Sequence, residues 1–343
     1  MTMRRLLPLL LAALALSGGA HAQSFENKDW QVACDNTRTC RAAGYQRDDD
    51  AGPGVSVLFT RLAGPRAGVT GEVQIADNGE GKKLPASLKL TIAGKPAGNV
   101  ALARKGNQGE LSGSQVEAML KALVGTGAIS FSAGQTTWRL SGDGAASVLL
   151  KMDDLQGRVG TASAIVRRGT LSDDNVKLPL TPPTVRAVRM AKSQPGDDAL
   201  AGRIIAMIPH NDDCALLDDP DARQDAMNAP RLWRLDANRV LVTVPCWRAA
   251  YNEGNGYWIA NAKPPFAAQA ITLSATDFDE ATSTLVAMQK GRGVADCVAE
   301  DRWTWNGFAF EPTSSTTSGM CRGIAPGGAW NLPTVVTELI PAK

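Results

Sequence analysis

The sequence predicts an α+β N-terminal domain with a mainly antiparallel sheet and two helices, followed by a mainly-β, disulfide-stapled C-terminal domain. Three observations predict it. A length of 343 residues suits two domains rather than one. The prolines of Leu178-Pro179-Leu180-Thr181-Pro182-Pro183 favour extended backbone and mark a boundary. Period-two alternation occurs on both sides of that boundary, whereas the two clearest helical stripes stand before it. The implied organisation is an export signal over 1–22, a first domain over 23–178, a Pro-rich linker over 179–196 and a second domain over 197–343.

Phe25 to Cys34 reads as an opening strand, with Trp30, Val32 and Cys34 on one face. Arg47 to Gly54 is a turn-rich solvated loop rather than a calcium site. Strand-like runs follow at Val55–Arg61, Gly71–Ala76, Ser87–Ile92, Asn99–Arg104, Ala128–Ser132 and Thr136–Leu140. Ser114 and Glu117 fit a capping box, after which Val116, Met119, Leu120 and Leu123 recur at helical spacing up to Gly125. A second stripe of Val148, Leu149, Met152 and Leu155 predicts a helix over Ala145–Leu155. Both stripes face a core.

Past the boundary, Asp197–Met207 reads as a short helix, and from Arg231 the pattern is β. The runs are Leu232–Asp236, Val240–Pro245, Gly256–Ala260, Ala270–Ser274 and Thr284–Gln289. The sharpest local signal is Trp303-Thr304-Trp305-Asn306-Gly307-Phe308-Ala309-Phe310. Asn306-Gly307 suits a two-residue type I′ turn, which would set Trp305 opposite Phe308 and Trp303 opposite Phe310.

Met1 to Arg5 is a positive segment, Leu6 to Leu16 a short apolar run, and Ala20-His21-Ala22 a small-x-small cleavage site. Together they predict export, cleavage before Gln23 and a periplasmic location, with no membrane span after cleavage. Without Arg4 and Arg5 the 36 basic residues fall to 34, equal to the 34 acidic ones. A balanced charge argues against nucleic acid as a partner. In an oxidising compartment the six cysteines favour disulfides. Several connectivities are open; the sequential set Cys34–Cys40, Cys214–Cys246 and Cys297–Cys321 keeps each bridge inside one expected domain.

Most catalytic templates are missing. There is no G-x-S-x-G, S-x-x-K, H-E-x-x-H, Walker loop or complete G-x-G-x-x-G, so no catalytic residue is assigned. His210 is the one imidazole left after cleavage and reads as part of a surface loop. With no C-x-x-C and one histidine, no metal and no cofactor are expected. Asp218, Asp219, Asp221 and Asp225 lack the Gly and terminal Glu of a calcium loop. The richest segment for recognition is Cys246 to Trp258. Gly254 and Gly256 permit turns there that would present Trp247, Arg248, Tyr251, Asn252, Tyr257 and Trp258 to a ligand. The competing reading packs those rings into a core.

These residues carry a resemblance. Phe25, Trp30, Val32, Cys34, Asp35, Asn36, Arg38, Cys40, Ala42, Gly44 and Tyr45 resemble the opening of a bacterial periplasmic family called domain of unknown function 1176. The similarity continues through Val148–Asp153, Pro245–Trp258, Gln289–Cys297, Trp303-x-Trp305-x-Gly307 and Cys321-Arg322. Ala250 stands where the family is expected to have Gly. The opening W-x-V-x-C is also similar, over the first domain only, to the invasion-associated locus B proteins. The resemblance implies fold, compartment and disulfides but no reaction. The expected role is an exported envelope protein, non-catalytic, binding a protein or glycan in the periplasm. The alternatives are a carboxylate-based hydrolase of cell-wall material and a structural or stress-related envelope factor.

Overall fold

The computed structural model describes residues 23–76, 84–103, 107–219 and 229–342. The expected export signal, Arg104, Asp221 and Asp225 lie outside the described residues. The chain is mostly β, with several antiparallel sheets, helices packed against them and three disulfides.

The first sheet contains β1 (Gln23–Asn27), β2 (Trp30–Cys34), β3 (Cys40–Tyr45), β4 (Val55–Arg61) and β5 (Val69–Ile75) as an antiparallel meander. A second sheet holds β6 (Ser87–Ile92), β7 (Lys95–Ala101), β9 (Ile129–Ala133) and β10 (Thr136–Leu140), while β8 (Gln108–Leu111) joins the first beside β5. Helices α1 (Gly113–Val124) and α2 (Ala145–Leu155) close the core between the sheets. Trp30, Val32 and Cys34 point into it, as their alternation predicts.

Two local elements differ from the sequence expectation. Phe25–Cys34 is a hairpin rather than one strand, because Lys28 takes a left-handed φ of 53° and pairs Asn27 with Trp30. The capping box is Ser112 with Gln115, not Ser114 with Glu117. Gln115 also donates from Nε2 to Ala97 O at 3.0 Å and Asn99 O at 3.2 Å. The helix therefore starts where its cap is tied to β7, while Glu117 stays exposed.

Two further sheets form a sandwich. One contains β12 (Arg231–Arg234), β13 (Arg239–Arg248), β14 (Glu253–Asn261) and β15 (Gln269–Ala275). The facing sheet contains β16 (Asp277–Asp279), β17 (Thr284–Lys290), β18 (Val298–Trp305), β19 (Phe310–Thr317) and β20 (Leu332–Val335). Leu241, Tyr257, Phe278, Leu285, Trp305 and Phe310 fill the space between them. The outer face of the β12–β15 sheet is covered by α3 (Asp197–Ile205) and a 3-10 turn, where Cys214 is bonded to Cys246. Cys34–Cys40 closes the β2–β3 hairpin, and Cys297–Cys321 joins the start of β18 to the loop after β19.

Within the proline-rich stretch, β11 (Thr184–Arg186) pairs in parallel with β21 (Glu338–Ile340). The segment before β21 packs back on the first sheet, where Ile324, Ala329, Trp330 and Leu332 cover Ala33, Ala43, Tyr45 and Leu58. Trp330 Nε1 donates to Ser56 Oγ at 2.6 Å. The Tyr45 phenol accepts from Gln31 Nε2 and from Met320 N, and burial pushes its pKa up to about 12.

The aromatic hairpin has a different register from the expected one. Trp305 stands opposite Phe310 and Trp303 opposite Pro312, so the loop is four residues long. The Asn306 carboxamide explains this: its Oδ1 accepts from Phe308 N at 2.8 Å and Ala309 N at 2.9 Å. That Asx turn swings Phe308 out of the ribbon, leaving it 82% exposed while Phe310 stays in the core.

Candidate functional site

The segment from Cys246 to Trp258 does not form one surface. Tyr257 and Trp258 are buried on opposite faces of β14, Tyr257 in the sandwich interior and Trp258 under α3. Gly254 and Gly256 are strand positions, not turns. A Cβ on Gly254 would lie 2.4 Å from the Trp247 indole, and one on Gly256 would lie 2.1 Å from the Trp258 indole. Each glycine leaves a gap that an indole occupies. Trp247 is half-buried, and Arg248 is exposed beside Glu253.

Tyr251 and Asn252 sit at the turn between β13 and β14, where their polar atoms hold the neighbouring loop. Tyr251 Oη donates to Gly291 O, Asn252 Nδ2 donates to Lys290 O at 2.8 Å, and Lys290 N donates back to Asn252 Oδ1 at 2.9 Å. Beyond them lies a polar cavity of about 600 Å³ lined by Arg47, Asp48, Asp50, Arg292 and Arg322 among others. Arg322 is nine-tenths buried, donates to Asp29 Oδ1 at 2.9 Å and pairs with Asp48. Arg292 grips Asp296 with two bonds and holds its carboxyl below the usual range. The two Arg322 pairs tie the loop after β19 to the β1–β2 turn and to the loop after β3. Although Asp296 lies beside Cys297 and Cys321, both sulfurs are in a disulfide and offer no thiolate to a metal.

His210 stands on an exposed loop between Asp218 and Asp212, bonded to both. The Asp218 carboxylate raises its pKa above the ordinary value. An NMR titration should therefore place the His210 midpoint above about 6.5. Asp218→Asn should bring it down. Because the folded pKa is raised, the pair's stabilising contribution is complete below the unfolded pKa and is lost as pH rises through the folded one. An unchanged midpoint in Asp218→Asn would remove the pairing as its cause.

The arrangement suited to recognition lies elsewhere, at the open end of the sandwich. A groove of about 640 Å³ runs between the β14–β15 side of one sheet and the β18–β19 hairpin of the other. Ile259 and Ile271 form one wall, Trp303, Phe310 and Pro312 the other, and Phe308 stands on the rim. Arg239 locks the hairpin tip in place: Nη1 donates to Phe308 O at 2.8 Å, Nη2 to Gly307 O at 2.6 Å, and Nε to Asp236 Oδ2 at 2.8 Å. Its guanidinium lies 4.7 Å from the Trp305 ring centroid. The rim is thus a fixed element that presents an apolar ring to solvent. The signal for it was in the sequence, as the Asn306-Gly307-Phe308 tip, but a two-residue turn would have put that ring on the ribbon.

Among the described residues, no helix is long and apolar enough to cross a membrane. The family model described as a protein of unknown function (DUF1176) matches residues 24–337. The uncharacterised protein YpfG of Escherichia coli (strain K12) is 27% identical over 336 residues, covering 85% of this chain and 88% of that protein. No solved structure matches the chain significantly.

Proposed function

The chain belongs to the family of proteins of unknown function DUF1176, and from that premise we propose that it is an exported, non-catalytic binding protein of the bacterial envelope. Its ligand, a segment of a periplasmic protein or glycan, lies in the groove beside Phe308. The Met1–Ala22 segment supports export and periplasmic residence. The observation that carries the binding reading is Phe308, 82% exposed on the rim of an apolar-walled groove. A single exposed apolar residue needs no explanation. A ring carried on a tip whose backbone is already fixed is a ready anchor, because covering it removes apolar area from water without ordering a loop.

The state of the acids favours binding over hydrolysis. A glycosidase-type general acid needs an accessible carboxyl with a raised pKa. Among the described acids that shift, Asp153 alone shifts upward, and it is fully buried. In the polar cavity Asp48 pairs with Arg322, and Asp50 accepts from Gly52 N.

Phe308→Ala should abolish capture of the periplasmic partner while moving the melting temperature by no more than a few degrees, since the ring contributes little to folding. Capture from a periplasmic extract by the wild type and by this variant, with a melting curve for each, checks both halves. Equal capture by the two proteins would remove the groove as the binding site.

A further inference from the structure

We infer that the groove beside Phe308 takes a neutral saccharide chain. This rests on the binding reading above and narrows it to one ligand chemistry. Arg239 is the one charged side chain among the described residues that line the groove. Its guanidinium is engaged by Asp236, by the carbonyls of Gly307 and Phe308, and by the Trp305 ring. The groove therefore offers a ligand no unpaired charge. An anionic polymer or a charged peptide would leave its own charges without partners there.

What the groove does offer is a combination of ring faces and amides. Phe308 is exposed and Trp303 half-buried, so the C–H faces of pyranose rings can cover them. Gln269 presents an exposed carboxamide on the opposite side. Asn261 also lines the groove; its Nδ2 donates to Pro265 O at 2.8 Å, and its Oδ1 is a neutral acceptor. Hydroxyl or acetamido groups of a sugar match such neutral donors and acceptors. The groove is a surface cleft between two sheets rather than an enclosed cavity, which suits a chain rather than an enclosed small molecule.

Calorimetric titration of the full mature chain with tetramers of glucose and of N-acetylglucosamine tests the inference. Binding by either tetramer is expected, weakened at least about tenfold by Phe308→Ala and by Gln269→Ala. It should be unchanged between low and high salt, because no charge is involved. If neither tetramer binds while Phe308→Ala still abolishes capture of a periplasmic protein, the saccharide inference fails and the binding reading stands. The same holds if an extended peptide pairing with the β15 edge binds in their place. If neither tetramer binds and capture is independent of Phe308, both readings fail. Binding that persists undiminished in both variants would place the sugar elsewhere and overturn the inference.

Discussion

Asp153→Ala should cost about 3–5 kcal/mol of folding stability, the range for breaking one member of a buried ion pair. Asp153 is fully buried at the end of α2 and accepts from Ile165 N at 2.7 Å and Val166 N at 2.9 Å. Its other oxygen faces Arg61 Nη1 at 3.4 Å. Burial pulls the Arg61 pKa down to about 10, with Arg158 close by as a second buried cation. Arg158 donates to Gly64 O at 2.6 Å, to Gln156 Oε1 at 3.0 Å and to Ser163 Oγ at 3.0 Å. Removing the Asp153 carboxylate leaves two amides unpaired and two guanidinium groups in a dry space with less compensating charge. Equilibrium urea unfolding of wild type, Asp153→Ala and Asp153→Asn measures the cost. Asp153→Asn should fall between the other two, because its carbonyl oxygen can still accept from both amides while no charge faces Arg61. Coincident unfolding midpoints for Asp153→Ala and wild type would mean that the network contributes nothing to stability.

That network marks where legibility in the sequence ended. The helical stripe Val148, Leu149, Met152 and Leu155 was readable from spacing, and α2 spans the expected residues. Asp153 stood beside that stripe as an ordinary polar residue, since a lone carboxylate is seldom fully buried. Its partners, Arg61 and the loop at Ile165, are remote in sequence, so no local pattern announces them. The packing of Trp330 on Ser56 is equally long-range. Strand runs such as Val55–Arg61, Ser87–Ile92 and Thr136–Leu140 were legible to the residue. The rim of the groove was not, because one Asn306 side chain chose a four-residue loop over a two-residue turn. β14 misled for a different reason. It is covered on both faces, so its aromatic residues run together without alternation, as a displayed patch also would.

Tyr251 and Tyr257 separate those two kinds of aromatic residue within a single segment. Tyr257→Ala should cost about 3–5 kcal/mol, as large buried aromatic truncations do. The ring is 1% exposed, and its centroid lies 6.2 Å from Trp233 and 6.3 Å from Phe278. Truncation would open a cavity where the two sheets meet, and neighbouring rings held by strand register cannot collapse into it fully. Tyr251 is 45% exposed, and its hydroxyl makes one long bond of 3.3 Å to Gly291 O. Tyr251→Ala should therefore cost no more than about 1 kcal/mol, the worth of one partly solvated hydrogen bond and some partial burial. The same urea measurement compares the two variants directly. Similar large losses in both would mean that the loop at Lys290–Gly291 is held by Tyr251 as firmly as the sandwich is by Tyr257. A small loss in Tyr257→Ala would mean that the sheets close over the vacated ring, and that the sandwich interior is less tightly specified than its chain of aromatic contacts implies.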